Sequence, residues 1–247
     1  MLMQAKGLII KETNLGENDK VLVILTKEYG IIHAFANGAR KMKSKNSAAT
    51  SLLCYADFSL YKSKDTYKVN DANPLELFFN LRYDLEALSL AQYFCELVLK
   101  LVAEDTEPND FLKIMLNSLY FLTNKSKPLG IVKAVTELKL ISLAGYMPDL
   151  ITCAGCSDLN NKKIRFSLSD GCIFCEKCLG ENVKTVPLNS TVLAAMRHIV
   201  YSDFNKIYSF MIPDKDLKML NKITEEYVCL MSEYHYKTLD FYKSVRG

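Results

Sequence analysis

The chain has 247 residues, 49% of them apolar and 24% charged, with a formal net charge of +3. That is enough chain for one large core or two to three small ones, and it excludes a disordered or low-complexity polymer. No apolar run reaches the roughly 18 residues of a membrane span, Met1–Lys6 lacks the basic flank and apolar core of a signal peptide, and a net charge this small does not alone argue for nucleic acid.

Residues 1–80 read as β structure. Ala5–Lys11 and Lys20–Thr26 are short runs rich in β-branched residues, and Tyr29-Gly30 marks a tight turn into a third run, Ile31–Ala36. Leu52–Tyr61 and Thr66–Val69 follow, separated by Lys62-Ser-Lys-Asp65, and Pro74 is expected to end the β region. Five short strands suit a small closed barrel such as an OB-fold; an SH3-like barrel fits the count nearly as well.

Between the third and fourth strands lies Asn37–Ser47, which carries Arg40, Lys41, Lys43 and Lys45. No Asp or Glu occurs from Tyr29 to Ala56, whereas 81–152 holds seven basic and nine acidic residues. Positive charge is thus concentrated near the amino terminus, as a local phosphate-binding patch requires. The segment has almost no apolar side chain, so a mobile backbone that adapts to phosphates is expected, against the plain alternative of a solvated loop. Phe35, Tyr55, Phe58, Tyr61 and Tyr67 lie on neighbouring strands, where they fill the barrel core or stack bases.

Beyond Pro74 the period changes. Leu77, Leu81, Leu85, Leu88, Tyr93, Leu97 and Leu101 recur at helical intervals and predict a helix within Leu75–Ala103. Pro108 ends that run, Asn109-Asp110 caps a second helix through Leu122, and Pro128 opens a third that stops at Gly145. Ser190 and Pro213-Asp214 start two more, the last running to about Ser244. Tyr227, Tyr234, Tyr236, Phe241 and Tyr242 on that last segment pack a helical core or mark a protein-binding groove.

The most specific signal is a pair of Cys-x-x-Cys knuckles, Cys153/Cys156 and Cys175/Cys178, with 18 residues between them. Two such knuckles place four sulfurs on one ion, and Zn²⁺ favours that tetrahedral thiolate set. Cys172 extends the second pair to Cys-x-x-Cys-x-x-Cys, so either Cys172 or Cys178 is the spare thiol; two equal knuckles favour Cys178 as the ligand. Disulfides and a redox pair are the alternatives. Four thiolates leave no position for water, so the zinc would be structural. Cys54, Cys95 and Cys229 sit singly among apolar neighbours and read as core residues.

In order, these segments resemble the bacterial recombination mediator family RecO. The resemblance is carried by Gly7-Leu-Ile-Ile-Lys11, Gly16-Glu-Asn-Asp-Lys20, Leu25-Thr-Lys-Glu-Tyr-Gly30 and Asn37-Gly-Ala-Arg-Lys41 with Ser44. Leu81-Arg-Tyr-Asp-Leu85, Ala91–Leu97, Leu140–Asp149 leading into the first knuckle, and Phe166–Gly171 ahead of the second extend it to about residue 200. Departures are Cys172, where the family has a second glycine, and Cys54-Tyr55, where it favours proline.

The resemblance implies an α+β protein: a five-stranded OB-fold barrel at 1–78, then an α-helical domain at 79–247 carrying a four-cysteine zinc module at about 150–182. It also implies binding of single- and double-stranded DNA in recombinational repair, with RecR, single-stranded DNA-binding protein and, indirectly, RecA as partners, in the bacterial cytoplasm at the nucleoid. A tail-binding pocket on 109–146, rimmed by Lys113, Lys125, Lys127, Lys133 and Lys139, is expected on the same ground. His33, His198 and His235 have no ligand partners at suitable spacing, and no phosphate loop, nucleophile elbow or zinc-protease motif occurs, so catalysis is not expected. The rival reading is a zinc-stabilised RNA-binding or protein-interaction adaptor, because sequence cannot reveal a 2′-hydroxyl contact.

Overall fold

The structure, a computed structural model, describes residues 1–42, 44, 46–63, 66–103, 108–159, 163–180 and 185–246. Strands β1 (Leu2–Leu15), β2 (Asp19–Thr26), β3 (Ile31–Ala36), β4 (Tyr55–Ser63) and β5 (Thr66–Glu76) form a closed barrel in the order β1-β2-β3-β5-β4. Closure comes from β4 pairing with β1, and β3 meets β5 in parallel. Five strands in that Greek-key order are the OB-fold, which resolves the choice that strand count left open.

One long strand serves two neighbours. A bulge between Ile9 and Lys11 bends β1, so that Leu2–Leu8 pairs with β4 and Gly7–Leu15 pairs with β2. Gly7 sits where both partners converge; a Cβ there would stand 2.6 Å from Ile24 Cγ2 and 2.9 Å from the Leu25 carbonyl. The interior is filled by Ile9, Leu22, Ile24, Ile32, Phe58 and Leu60 with interleaved alanines. Leu8, Ile10, Val23 and Leu25 lie outside that cluster and are also buried, for β1 and β2 pack against helices α1 (Leu85–Leu101) and α2 (Pro108–Asn124).

Pro74 does not end the sheet. It lies within β5 opposite Ala56, whereas β3 pairs with β5 only at Tyr67 and Lys68. By Pro74 one edge of β5 has no ladder neighbour, and the missing N–H costs nothing there. The helix predicted from Leu75 begins only at Leu85. Phe78 adopts a left-handed backbone (φ 45°), Phe79–Tyr83 form a 3₁₀ turn, and Asp84 is extended, its Oδ1 accepting the Ala87 N–H at 3.0 Å. Asp84→Ala should destabilise the protein by about 1 kcal/mol, the usual worth of an N-cap, read as a lower denaturation midpoint at unchanged m-value.

Pro108 opens α2 rather than preceding it, and Asn109 and Asp110 occupy its first turn. Helix α3 (Leu129–Ile141) ends through a wide turn at Gly145 (φ 98°), as its Pro128 and Gly145 signals predict. A four-stranded sheet follows, β6 (Asp149–Cys153), β7 (Ile164–Ser167), β8 (Cys172–Cys175) and β9 (Thr185–Leu188), in the order β6-β8-β7-β9. Helix α4 (Ser190–Tyr201) is capped by Asn189, whose Oδ1 accepts the Val192 N–H at 2.8 Å. The predicted last helix is two: α5 (Asp214–Met231) and α6 (Lys237–Val245), separated where Glu233 turns left-handed (φ 47°).

By packing, the chain divides into two compact units, Met1–Asn124 with Thr238–Gly247, and Lys125–Lys237. In the first, the Glu96 carboxylate accepts the Thr238 N–H (3.0 Å) and its hydroxyl, which ties α6 to α1. In the second, α3 is buried along almost its whole length and packs on α4 and α5. Lys133 and Lys139 were expected on a solvated rim, and the structure corrects this. Lys133 is 2% exposed and bonds Glu137 (2.7 Å) and Glu225 (3.0 Å); Lys139 donates to the Val200 carbonyl at 3.0 Å. Tyr227, Tyr236 and Tyr242 are buried, as a packing role requires, while Phe241 is exposed. Among the described residues no helix is long and apolar enough to cross a membrane.

Candidate metal centre and nucleic-acid interface

Strand β6 delivers Cys153 at its end, and the following turn carries Cys156. Strand β8 ends at Cys175, and a single 3₁₀ turn, Glu176–Cys178, places Cys178. Because β6 and β8 are parallel neighbours, the two knuckles emerge side by side. The sulfurs of Cys153, Cys156, Cys175 and Cys178 all lie within 4.8 Å of one another and could hold a metal ion. Cys172 is outside this group. It lies three residues from Cys175 on the same strand, an odd offset that sends the two side chains to opposite faces.

The donor set fits a tetrahedral thiolate ion on three counts. Zn–S bonds of about 2.3 Å require sulfurs about 3.8 Å apart, and Cys156 and Cys175 are 3.9 Å apart. The Cys175 N–H points at the Cys153 sulfur at 3.3 Å, which is the outer-shell support thiolates need. Gly155 leaves room for the second knuckle: a Cβ there would stand 2.6 Å from Cys178 Cβ and 3.0 Å from its sulfur.

The thiols also hold their protons unequally. Burial opposes ionisation of Cys153. The N–H groups of Cys175, Gly155 and Cys156, with a bond from the Cys156 side chain, outweigh it and bring Cys153 down to about 6. Cys178 is pushed up to about 12, first by its bond to Cys175 and then by that to Cys156. A divalent ion would displace the remaining protons. Cys54 and Cys95, read as core residues, are buried, and burial raises both thiols, to about 11 and about 12.

The first part of the cationic segment, Gly38–Arg40, is pinned rather than free. Gly38 N–H donates to Asp19 Oδ1 (2.7 Å), Arg40 N–H to the Asn18 carbonyl (3.0 Å), and Arg40 Nη1 to the Gly16 carbonyl (2.8 Å). The segment is thereby fixed to the β1–β2 hairpin turn. Further along, Glu12 accepts from the Leu52 N–H (3.0 Å) and from Lys20 Nζ (2.9 Å). Ala39 and Ala49 are buried in the barrel core, small side chains that escaped notice in a run dominated by lysine. Arg40 and Lys41 are exposed, and the one side-chain bond of Arg40 to the described residues leaves most of its five donors for phosphate. Lys43 and Lys45 lie outside the described residues.

Of the five strand aromatics, Phe58 is core, Tyr55 and Tyr67 are half-buried, and Phe35 and Tyr61 are exposed. Sequence reading missed a cavity of about 690 Å³ beside the segment, bordered by Ser44, Ser51, Phe79 and Arg82, because it placed the last two inside a regular helix. His198 bonds the Lys206 carbonyl at 2.8 Å and Ser202 at 3.3 Å.

Comparison with known proteins is consistent along the chain. A family model described as Recombination protein O N terminal matches residues 1–78, and one described as Recombination protein O C terminal matches 82–239. A protein named DNA repair protein RecO from Acetivibrio thermocellus is 35% identical over 244 residues, covering 98% of this chain and 97% of its own length. Proteins of the same name from Alkaliphilus metalliredigens and Caldicellulosiruptor bescii are each 29% identical, the alignments covering 99% of this chain and 100% and 99% of theirs.

Proposed function

Because the chain belongs to the RecO family of DNA repair proteins, we propose that it is a non-enzymatic recombination mediator whose barrel holds single-stranded DNA. The observation that carries this reading is the exposure of Arg40 and Lys41 on a turn pinned to an OB barrel. Function divides at 1–78 for nucleic acid and 79–247 for protein docking. A single structural Zn²⁺ on Cys153, Cys156, Cys175 and Cys178 stiffens 150–182. All-thiolate ligation leaves no open position, so the ion supplies rigidity rather than chemistry.

The same basic segment contacts duplex. Phosphates dominate the mutual repulsion of two strands, so a protein that binds both and neutralises charge favours annealing. Docking on single-stranded DNA-binding protein brings that activity to coated DNA, RecR joins the complex, and RecA loading follows indirectly. The expected setting is the bacterial cytoplasm, at the nucleoid. A tail-binding pocket on 109–146 can draw no cationic rim from Lys133 or Lys139, since both are buried. Calorimetry of the full chain with the acidic tail peptide, with and without its terminal phenylalanine, tests that docking; no heat sinks it.

Replacing Arg40, Lys41, Lys43 and Lys45 with alanine should reduce the slope of log K against log salt by up to about 3 for single strands, at roughly 0.7 per phosphate contact. A folded variant with unchanged affinity and slope would return the segment to a solvated loop. Equal or tighter binding of RNA of the same sequence would favour the RNA-binding adaptor instead.

A further inference from the structure

We propose that the cavity lined by Ser44, Ser47 and Ser51 and by the turn before α1 receives an unpaired nucleotide, its base on Phe79 and its phosphate on Arg82. The inference rests on the reading that the barrel binds single strands. The observation is an aromatic ledge with a cation on it. Phe79 is 50% and Tyr83 78% exposed, their rings meet edge to face with centroids 5.6 Å apart, and the Arg82 guanidinium lies 5.4 Å from the Phe79 centroid. Two exposed aromatics, one of them with a guanidinium over its ring, make a surface on which a base stacks without regard to its identity.

The cavity behind the ledge has the size and chemistry for the rest of a nucleotide. Its volume is about 690 Å³, its floor includes Leu77 and Leu81, and hydroxyls of Ser44, Ser47 and Ser51 border it. Arg82 Nη2 already donates to Ser51 Oγ at 3.2 Å, so the guanidinium is held at the mouth. Glu12 also lines the cavity, but Lys20 at 2.9 Å neutralises it, so no uncompensated negative charge opposes a phosphate.

The backbone offers a second, independent sign. Leu53 (φ 63°) and Phe78 (φ 45°), bulky residues in the left-handed region, both line this one cavity. Such conformations persist only where the surroundings enforce them, and they cluster at binding sites. Ser44, which lines the cavity, lies three residues after the exposed pair Arg40 and Lys41, so a strand held by those two cations can extend toward it.

The test uses full-length protein and oligothymidylate. The chain has no tryptophan, so Phe79→Trp creates a single fluorescent reporter at the ledge. Its emission should be quenched by single strands and not by duplex, whose bases are already stacked. Phe79→Ala, folded by circular dichroism, should bind single strands about tenfold or more weakly with the salt slope unchanged, since stacking is not ionic. Arg82→Gln should lower that slope by about 0.7. Wild-type affinity in Phe79→Ala, with unmoved emission from Phe79→Trp while the basic-segment variant still loses affinity, overturns the site and assigns the ledge to a protein partner. No single-strand binding by the wild type overturns this inference together with the reading beneath it.

Discussion

Replacing Cys175 with serine should abolish the proposed zinc binding, loosen the β6–β9 sheet and destabilise the Lys125–Lys237 unit by several kcal/mol. Structural zinc sites contribute on the order of 10–16 kcal/mol of binding free energy in small zinc peptides, and that energy is folding energy. Arg197, donating to the Leu150 and Ile151 carbonyls, and the Phe166–Tyr227 ring contact also hold the sheet, but the sheet itself is slight. Its strands are four or five residues long, and the register between β6 and β8 is interrupted between Asp149 and Cys153. Cys175 is 3% exposed, and its N–H supports the Cys153 sulfur, so serine removes a ligand where nothing can replace it.

Elemental analysis should find one zinc per wild-type chain and X-ray absorption only sulfur ligands. Cys172→Ser should keep the metal and the melting temperature, because that thiol is outside the cluster. A chelator should reproduce the Cys175→Ser melting curve in the wild type. Metal retention in Cys178→Ser with loss in Cys172→Ser would overturn the ligand assignment.

The second large effect is expected at Lys133. Its ammonium lies between Glu137, fully buried, and Glu225, 20% exposed, and Thr224 Oγ1 donates to the far oxygen of Glu137 at 2.7 Å. Lys133→Ala leaves a carboxylate charge in the α3–α5 packing layer without its cation. Breaking a buried pair from one side typically costs about 3–5 kcal/mol, a large share of a total stability of about 5–15. Urea denaturation at neutral pH would read this as a fall in midpoint. Lys133→Met with Glu137→Leu should recover most of the loss, because apolar residues of similar volume replace a buried pair at little net cost. A single mutant no less stable than the double would show that the pair is solvated and the cluster energetically idle.

Several features of this protein are written locally. The spacing of the cysteines, the β-branched runs at 5–11, 20–26 and 31–36, and the Pro128-to-Gly145 helix each depend on residues close in sequence, and local chemistry suffices to read them. The family was legible for the same reason, being a series of short segments in order. What failed were readings that needed a distant neighbour. Pro74 is tolerated in β5 because β3 stops pairing at Lys68, a relation set by the closure of the barrel. The basic segment is anchored because Asp19 and Gly16 receive its donors from another hairpin. Lys133 and Lys139 share the helical period of solvated lysines, and only the packing of α5 and α4 over α3 turns them inward.

The ledge at Phe79 and Arg82 was hidden more completely. Its leucines keep helical spacing, yet Phe78 turns left-handed and interrupts the helix. Hydrophobic period and turn chemistry are properties of a window of residues, so the sequence by itself determined most strands and helices, the metal knuckles and the family. Burial, strand closure and the left-handed breaks depend on which surfaces come to cover one another, and tertiary structure alone decided the ion cluster, the anchored basic segment and the cavity beside it.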